Sequence, residues 1–402
     1  MKTNRILIIV AAAALLLTSC SNENERMFTI INEDGTCSSE MSFQPVQEDV
    51  MAPRNKSIQT HGMYYNTDWE RTWSVMGDSV QHACPMTQQQ WDSLEQEDAS
   101  SKLLMHLKRN YQNVSEMSDS LTQAVRHLFK ATASLDKHFK WFYTDYTYKE
   151  TLTSTDLNQI FPVPLDRFVS ADSASYWFTG EPNLAAGLTG AEQKEMLDEI
   201  ETRISQWFCA CTMSNIYAHV WKNYDEVKNP PVSEEQFWAL KDSVIMSPAV
   251  RNLNLFGNIN QVSNIFKDFY QSDAYTPLFS DSTRWERLLE IKYKDYERLV
   301  TMKPMLEYMM PGKVIDAGNG VVEGNVVRYR FSGERLIPHP FEVTITSRVT
   351  NVWAFVVTAL VILLAIGCLF YRRIRIRISQ YKRHLRSVIK TKFSTFVLFC
   401  AR

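Results

Sequence analysis

No aspartate or glutamate stands before Glu23 or after Glu342 in the 402 residues. Both ends are instead apolar and basic, which excludes a chain that is globular from end to end. Of 43 Lys and Arg, two lie before residue 20 and ten after Tyr371. That leaves 31 against all 45 acids, so residues 21–351 carry about −14 while the whole chain carries −2. A surface of that sign does not favour binding to nucleic acid, or to anionic lipid head groups, through a broad basic patch. Catalytic signatures are missing too: no nucleophile elbow, phosphate loop or metalloprotease helix occurs. Among the eight histidines, including those of His82-Ala83-Cys84, His127 and His138, no pair has zinc-ligand spacing with further ligands nearby. Gly318-Asn319-Gly320-Val321-Val322-Glu323-Gly324 has its third glycine one place late for a dinucleotide fingerprint and leads into a strand, so it reads as a hairpin. No repeat or low-complexity tract is present. The sequence thus predicts no catalytic residue, no cofactor and no metal site. Asp145, set among aromatic residues, is the one carboxylate whose neighbours could raise its pKa; an exposed or hydrogen-bonded aspartate is the simpler reading.

What is present at the start is Lys2 and Arg5, an apolar run from Ile6 to Leu17, and then Leu17-Thr18-Ser19-Cys20. This resembles a bacterial lipoprotein signal peptide with its lipobox. Residues 1–19 are expected to be removed, Cys20 to be lipidated, and residues 20–26 to serve as a tether. Near the other end, Val352 to Tyr371 gives 20 residues without a charge, enough to span about 30 Å of hydrocarbon as a helix. Arg372, Arg373, Arg375 and Arg377 follow directly, and basic residues beside a span favour the cytoplasmic side. The expected topology is a lipid-anchored N-terminus and ectodomain in the periplasm, one span (352–371) in the inner membrane, and a basic cytoplasmic tail (372–402). That tail either binds the anionic inner leaflet or stays solvated. Its later apolar run, Phe393 to Cys400, is too short to cross.

Seven cysteines divide along the same lines. Cys20 is the lipidation candidate, Cys368 lies in the span and Cys400 in the reducing tail, leaving Cys37, Cys84, Cys209 and Cys211. An oxidising compartment permits bridges, yet Cys209 and Cys211 stand two apart in a helical pattern and point away from each other. Buried thiols and a bridge both remain open, with Cys37 and Cys84 the pair to test.

Periodicity supplies the rest. Met27 to Ile31, a turn at Asn32-Glu33-Asp34-Gly35, and Thr36 to Phe43 read as a hairpin. Residues 47–65 read as loop and Trp69 to Val75 as a short strand. Leu103, Leu104, Leu107, Leu121, Val125 and Leu128 suggest helices over residues 88–134. His138 to Thr151 reads as one central strand covered on both faces, with Phe139, Trp141 and Tyr143 on one side and Phe142, Tyr146 and Tyr148 on the other; an aromatic ligand box is the alternative. Thr189 with Glu192, and Ser233 with Gln236, have capping-box spacing, and a third helix starts after Asp281 and ends before Pro304. Short strands return at Lys313 to Ile315, Val321-Val322, Val326 to Phe331 and Glu342 to Ser347. The fold class is α+β: a membrane-proximal antiparallel β domain from the N- and C-terminal segments (27–184 and 305–351), a large helical insertion (185–304), then one C-terminal transmembrane helix.

Phe28-Thr29-Ile30-Ile31-Asn32-Glu33-Asp34-Gly35-Thr36, Met310 to Val314, Asn319-Gly320 and Val322 to Tyr329 together resemble the opening hairpin and closing strand pair of LppM-like lipoproteins. The resemblance implies an envelope protein with an α+β domain and a role in lipid binding. The expected function is a non-enzymatic inner-membrane lipoprotein whose periplasmic domain binds an amphiphile or lipid, or an envelope protein partner. A structural or assembly subunit of an envelope complex is the alternative, and an enzyme comes third.

Overall fold

The computed structural model describes residues 25–399 apart from His61, His127, Asp156 and residues 254–259, with side chains described as far as Arg386. The expectations for the signal peptide, Cys20 and Cys400 lie outside the described residues. Strands and helices are mixed throughout, as α+β. The strands are β1 (Arg26–Ile31), β2 (Cys37–Phe43), β3 (Ile58–Thr60), β4 (Met63–Tyr65), β5 (Glu70–Val75), β6 (His82–Ala83), β7 (Leu103–Tyr111), β8 (Phe129–Lys140), β9 (Tyr143–Ser154), β10 (Met305–Met309), β11 (Lys313–Asp316), β12 (Val321–Glu323), β13 (Val326–Arg330) and β14 (Phe341–Thr350).

The first hairpin forms where the turn chemistry places it. Gly35 takes a φ of +91°, and Asp34 Oδ1 accepts from the backbone N–H and the hydroxyl of Thr36 at 3.0 and 2.7 Å. Pairing then runs from Arg26 opposite Ser42 to Ile31 opposite Cys37, and β2 buries Cys37, Ser39, Met41 and Phe43 on one face. The main sheet has the order β12-β13-β10-β1-β2-β7-β5-β6, so segments from both ends of residues 25–351 share it. It is not wholly antiparallel, as the sequence suggested: β1 and β10 pair in parallel, Met27 beside Leu306. Hairpin chemistry reveals only local, antiparallel partners, whereas this pair is joined by the entire intervening chain.

Residues 88–134 are not all helical. Helices occupy Gln88–Gln96 and Val114–Ala124, the latter capped by Asn113 and burying Met117 and Leu121. Between them Leu103, Met105 and Leu107 are buried with period two on β7, which is enclosed by β2 and β5. Leu103, Leu104 and Leu107 fit a helical step by themselves, and adding Met105 gives the period of two. Residues 47–65 likewise hold a short helix, Gln47–Val50, and the β3–β4 hairpin.

The described residues from Leu157 to Thr301 are helical with irregular connections. Both capping boxes form, opening helices Gly190–Lys222 and Glu234–Ala239, and Asp281 caps Ser282–Thr301. These helices share a core of their own, in which Trp207, Tyr217, Phe237, Phe266, Tyr275 and Trp285 are buried. A second sheet has the order β11-β14-β9-β8. Residues 25–136 and 147–347 belong to one compact unit, and residues 137–146 with the chain from Arg348 onward to another. In the second lies helix Val352–Phe399, whose stretch Val352–Arg386 is long and apolar enough to cross a membrane.

Candidate membrane junction

The second unit is built on a turn with unusual chemistry. His138 to Thr151 is not one strand, because Trp141-Phe142 forms a two-residue turn between β8 and β9. Such turns normally take Asn-Gly or Asp-Gly. Here Phe139, Trp141 and Phe142 stand 58%, 47% and 40% exposed, while Tyr146 and Tyr148 are buried. Neither the two-sided strand nor an aromatic box therefore describes the segment: its aromatics divide between a bare tip and a buried stem.

Asn351, the residue between β14 and the C-terminal helix, binds this turn. Its backbone N–H donates to Phe142 O at 2.9 Å. Its side-chain amide donates to Lys140 O at 2.8 Å and Trp141 O at 3.3 Å, and its Oδ1 accepts from Thr144 Oγ1 at 3.1 Å. Three consecutive turn carbonyls are thereby satisfied by one residue. Trp141 Nε1 donates to Thr358 Oγ1 at 2.8 Å, roughly 9 Å along the helix from Val352 at 1.5 Å per residue. The rings meet as well. Trp353 stacks on Phe139 with centroids 6.3 Å apart and receives Trp141 edge-on at 5.4 Å, while Phe142 lies 4.7 Å from Phe355.

Beside the turn is a charged cluster. Arg348 grips Asp145 with both nitrogens, Nε to Oδ1 at 2.7 Å and a terminal nitrogen to Oδ2 at 3.2 Å, and Lys140 Nζ reaches Oδ2 at 3.3 Å. The Arg348 guanidinium covers the Tyr143 ring at 3.9 Å and Lys140 approaches the same ring at 5.0 Å. The Arg348 hydrogen bonds hold the Asp145 carboxyl below its ordinary range; burial opposes them and Lys140 assists. Aromatic neighbours do not raise this pKa, since the carboxylate oxygens face cations.

The first unit holds a different carboxylate. Glu150 Oε2 accepts from Tyr148 and Tyr308 hydroxyls at 3.0 and 2.5 Å. Burial pushes its pKa up, against the pull of both tyrosines. It lines an apolar cavity with Thr29, Ser39, Met63, Trp69 and Phe331, whose free volume of about 20 Å³ has room for one water and not for an acyl chain. The signal was present in the sequence, because Glu150 shares the parity of Tyr146, Tyr148 and Leu152 along β9.

Arg372, Arg373, Arg375 and Arg377 are exposed on the C-terminal helix, which continues past Tyr371 without a break. Cys37 and Cys84 are free thiols, both buried, as are Cys209 and Cys211. Burial pushes Cys37 up to about 12 and Cys84 to about 11, which suppresses the thiolate and its reactivity. Sequence reasoning missed Asn351 and Thr358, whose roles depend on partners some 200 residues away. The available hint was the pair of aromatics in a tight turn. Comparison with known proteins finds no family model, no curated protein and no solved structure that this chain matches.

Proposed function

We propose that this chain is a non-enzymatic, membrane-anchored envelope protein that engages a protein partner. In this reading, Cys20 carries lipid, residues 352–371 span the inner membrane, residues 21–351 lie on the periplasmic side and the tail is cytoplasmic. The LppM-like resemblance at the terminal strands belongs to the same proposal. The observation that carries it is the hydrogen-bonded lock between the β8–β9 turn and the first turns of the apolar helix. A simple tether needs only a flexible link. A locked junction instead holds the turn in register with the helix, so that a load on one is felt by the other.

The cavity beside Glu150 is too small for an acyl chain and lends no support to a lipid ligand at that place. Helix continuing past the span with Arg372, Arg373, Arg375 and Arg377 supplies a second contact surface on the opposite side, which suits an assembly subunit. Mass spectrometry of the full-length protein extracted in mild detergent is expected to show a defined protein companion. A monomer carrying lipid alone would reject this reading in favour of amphiphile binding. Accessibility of a C-terminal cysteine from the periplasm would reverse the topology.

A further inference from the structure

Three large aromatic side chains at the tip of a hairpin are costly in water, because each buries about 150–250 Å² when covered and apolar area is worth about 25 cal/mol per Å². What covers them is indicated by the groups around them. Their rings stack on Trp353 and Phe355, which are themselves half exposed on the apolar helix. The aromatic surface of the turn is therefore continuous with the surface of the span.

Three carbonyls and the indole at the tip are already matched. In hydrocarbon, an unpaired backbone or indole group has no water to bond and is strongly unfavourable. At this turn the carbonyls of Lys140, Trp141 and Phe142 all accept from Asn351, and the indole N–H is taken by Thr358. A turn facing water would gain little from internal pairing of its carbonyls and indole, since water supplies the same bonds. Lys137, Lys140 and Arg348 follow on the adjoining strand ends, against Asp145 as the single carboxylate of the unit's residues 137–146 and 348–351. Long basic side chains in that position lay their stems on apolar surface and turn their heads to phosphate.

We propose that the β8–β9 turn is a second membrane-contacting element. It enters the interfacial layer of the leaflet on the ectodomain side, with Phe139, Trp141 and Phe142 among the upper acyl chains and Lys137, together with the Asp145-paired Lys140 and Arg348, at the level of the lipid phosphates. The occupant of this surface is phospholipid. The inference rests on the reading of residues 352–371 as a span, and the test separates the two.

Full-length protein is reconstituted into phospholipid vesicles with the photoreactive residue p-benzoylphenylalanine replacing Phe142, Leu363 within the span, or Val80, an exposed residue of the other unit. After irradiation, adducts are identified by mass. Lipid adducts at 142 comparable to those at 363, and several-fold above those at 80, are expected. If 142 behaves like 80 while 363 labels lipid, the turn proposal is overturned and the span stands. If neither labels lipid, the span reading fails and the proposal with it. Adducts at 142 to protein alone would show that a polypeptide covers the tip, and overturn the proposal. Phe139, replaced in the same way, gives an independent position should the 142 variant not fold.

Discussion

Asp145 and Glu150 sit on the same strand, in a stretch of threonine and tyrosine that treats them alike, yet they are held in opposite states. Asp145 meets Arg348 and Lys140, and its carboxyl is held low. Glu150 meets two phenol hydroxyls in an apolar space, and burial pushes it up. An ion pair near the surface suits a charged group, whereas a buried carboxyl with neutral donors suits a protonated one. Composition could not distinguish them. The difference is decided by which side chains β14 and β10 deliver, namely Arg348 to one acid and Tyr308 to the other.

The sharpest way to break the comparison is Glu150→Ala. It strands two buried tyrosine hydroxyls and enlarges the cavity beside Thr29 and Ser39, so a loss of about 3–4 kcal/mol in unfolding free energy is expected. Glu150→Gln keeps an acceptor and removes the ionisable group, and should stay within about 1 kcal/mol of the parent. Denaturant melts of the two variants in the same detergent check this. An equal loss in both would mean that the acid group itself, rather than its acceptor oxygen, is required.

A smaller effect, of opposite sign at the two acids, is expected from pH. The Glu150 pKa is raised above its ordinary 4.5, so the folded state binds the proton more tightly than the unfolded one. Its contribution is full below about pH 4.5 and is lost as pH rises through the folded value. Asp145 is lowered from 3.8, so its contribution is present above that value and is lost as pH falls through the folded one. Burial also pushes Glu334 up to about 7, with the same sign as Glu150. The difference between parent and Glu150→Gln therefore has to be compared pH by pH. It should shift against the parent as pH rises above 4.5, whereas Asp145→Asn should diverge from the parent above the lowered Asp145 value and converge with it in stronger acid.

The sequence made local features legible and left long-range ones hidden. The Asp34-Gly35 hairpin, both capping boxes, the Asp281 cap and the apolar helix from Val352 were all readable, because each depends on residues within a few positions. The parallel β1–β10 pair was not, since nothing near Met27 indicates Leu306. β7 reads as helix in the sequence because leucines at 103, 104 and 107 fit both periods, and only its burial between two strands decides. At the junction the aromatics were visible but misplaced. A run with aromatics on both faces looks like a central strand until a turn at Trp141-Phe142 places half of them at a tip.

Asn351→Ala tests the other side of the comparison, the tip rather than the buried stem. The substitution removes two donors to turn carbonyls and the acceptor for Thr144 while leaving the backbone N–H bond to Phe142 intact. Because the carbonyls can find other donors, the cost should be local, about 1–2 kcal/mol. Hydrogen exchange of the full-length protein in vesicles is the suitable measurement. Amides of residues 139–144 are expected to exchange about tenfold faster, matching that energy at 1.4 kcal/mol per decade, while those around Glu150 keep the parent rate. Equal acceleration at both places would mean that tip and stem open as one cooperative piece. An unchanged tip would mean that ring packing against Trp353 and Phe355, together with the indole bond to Thr358, holds the turn without the asparagine.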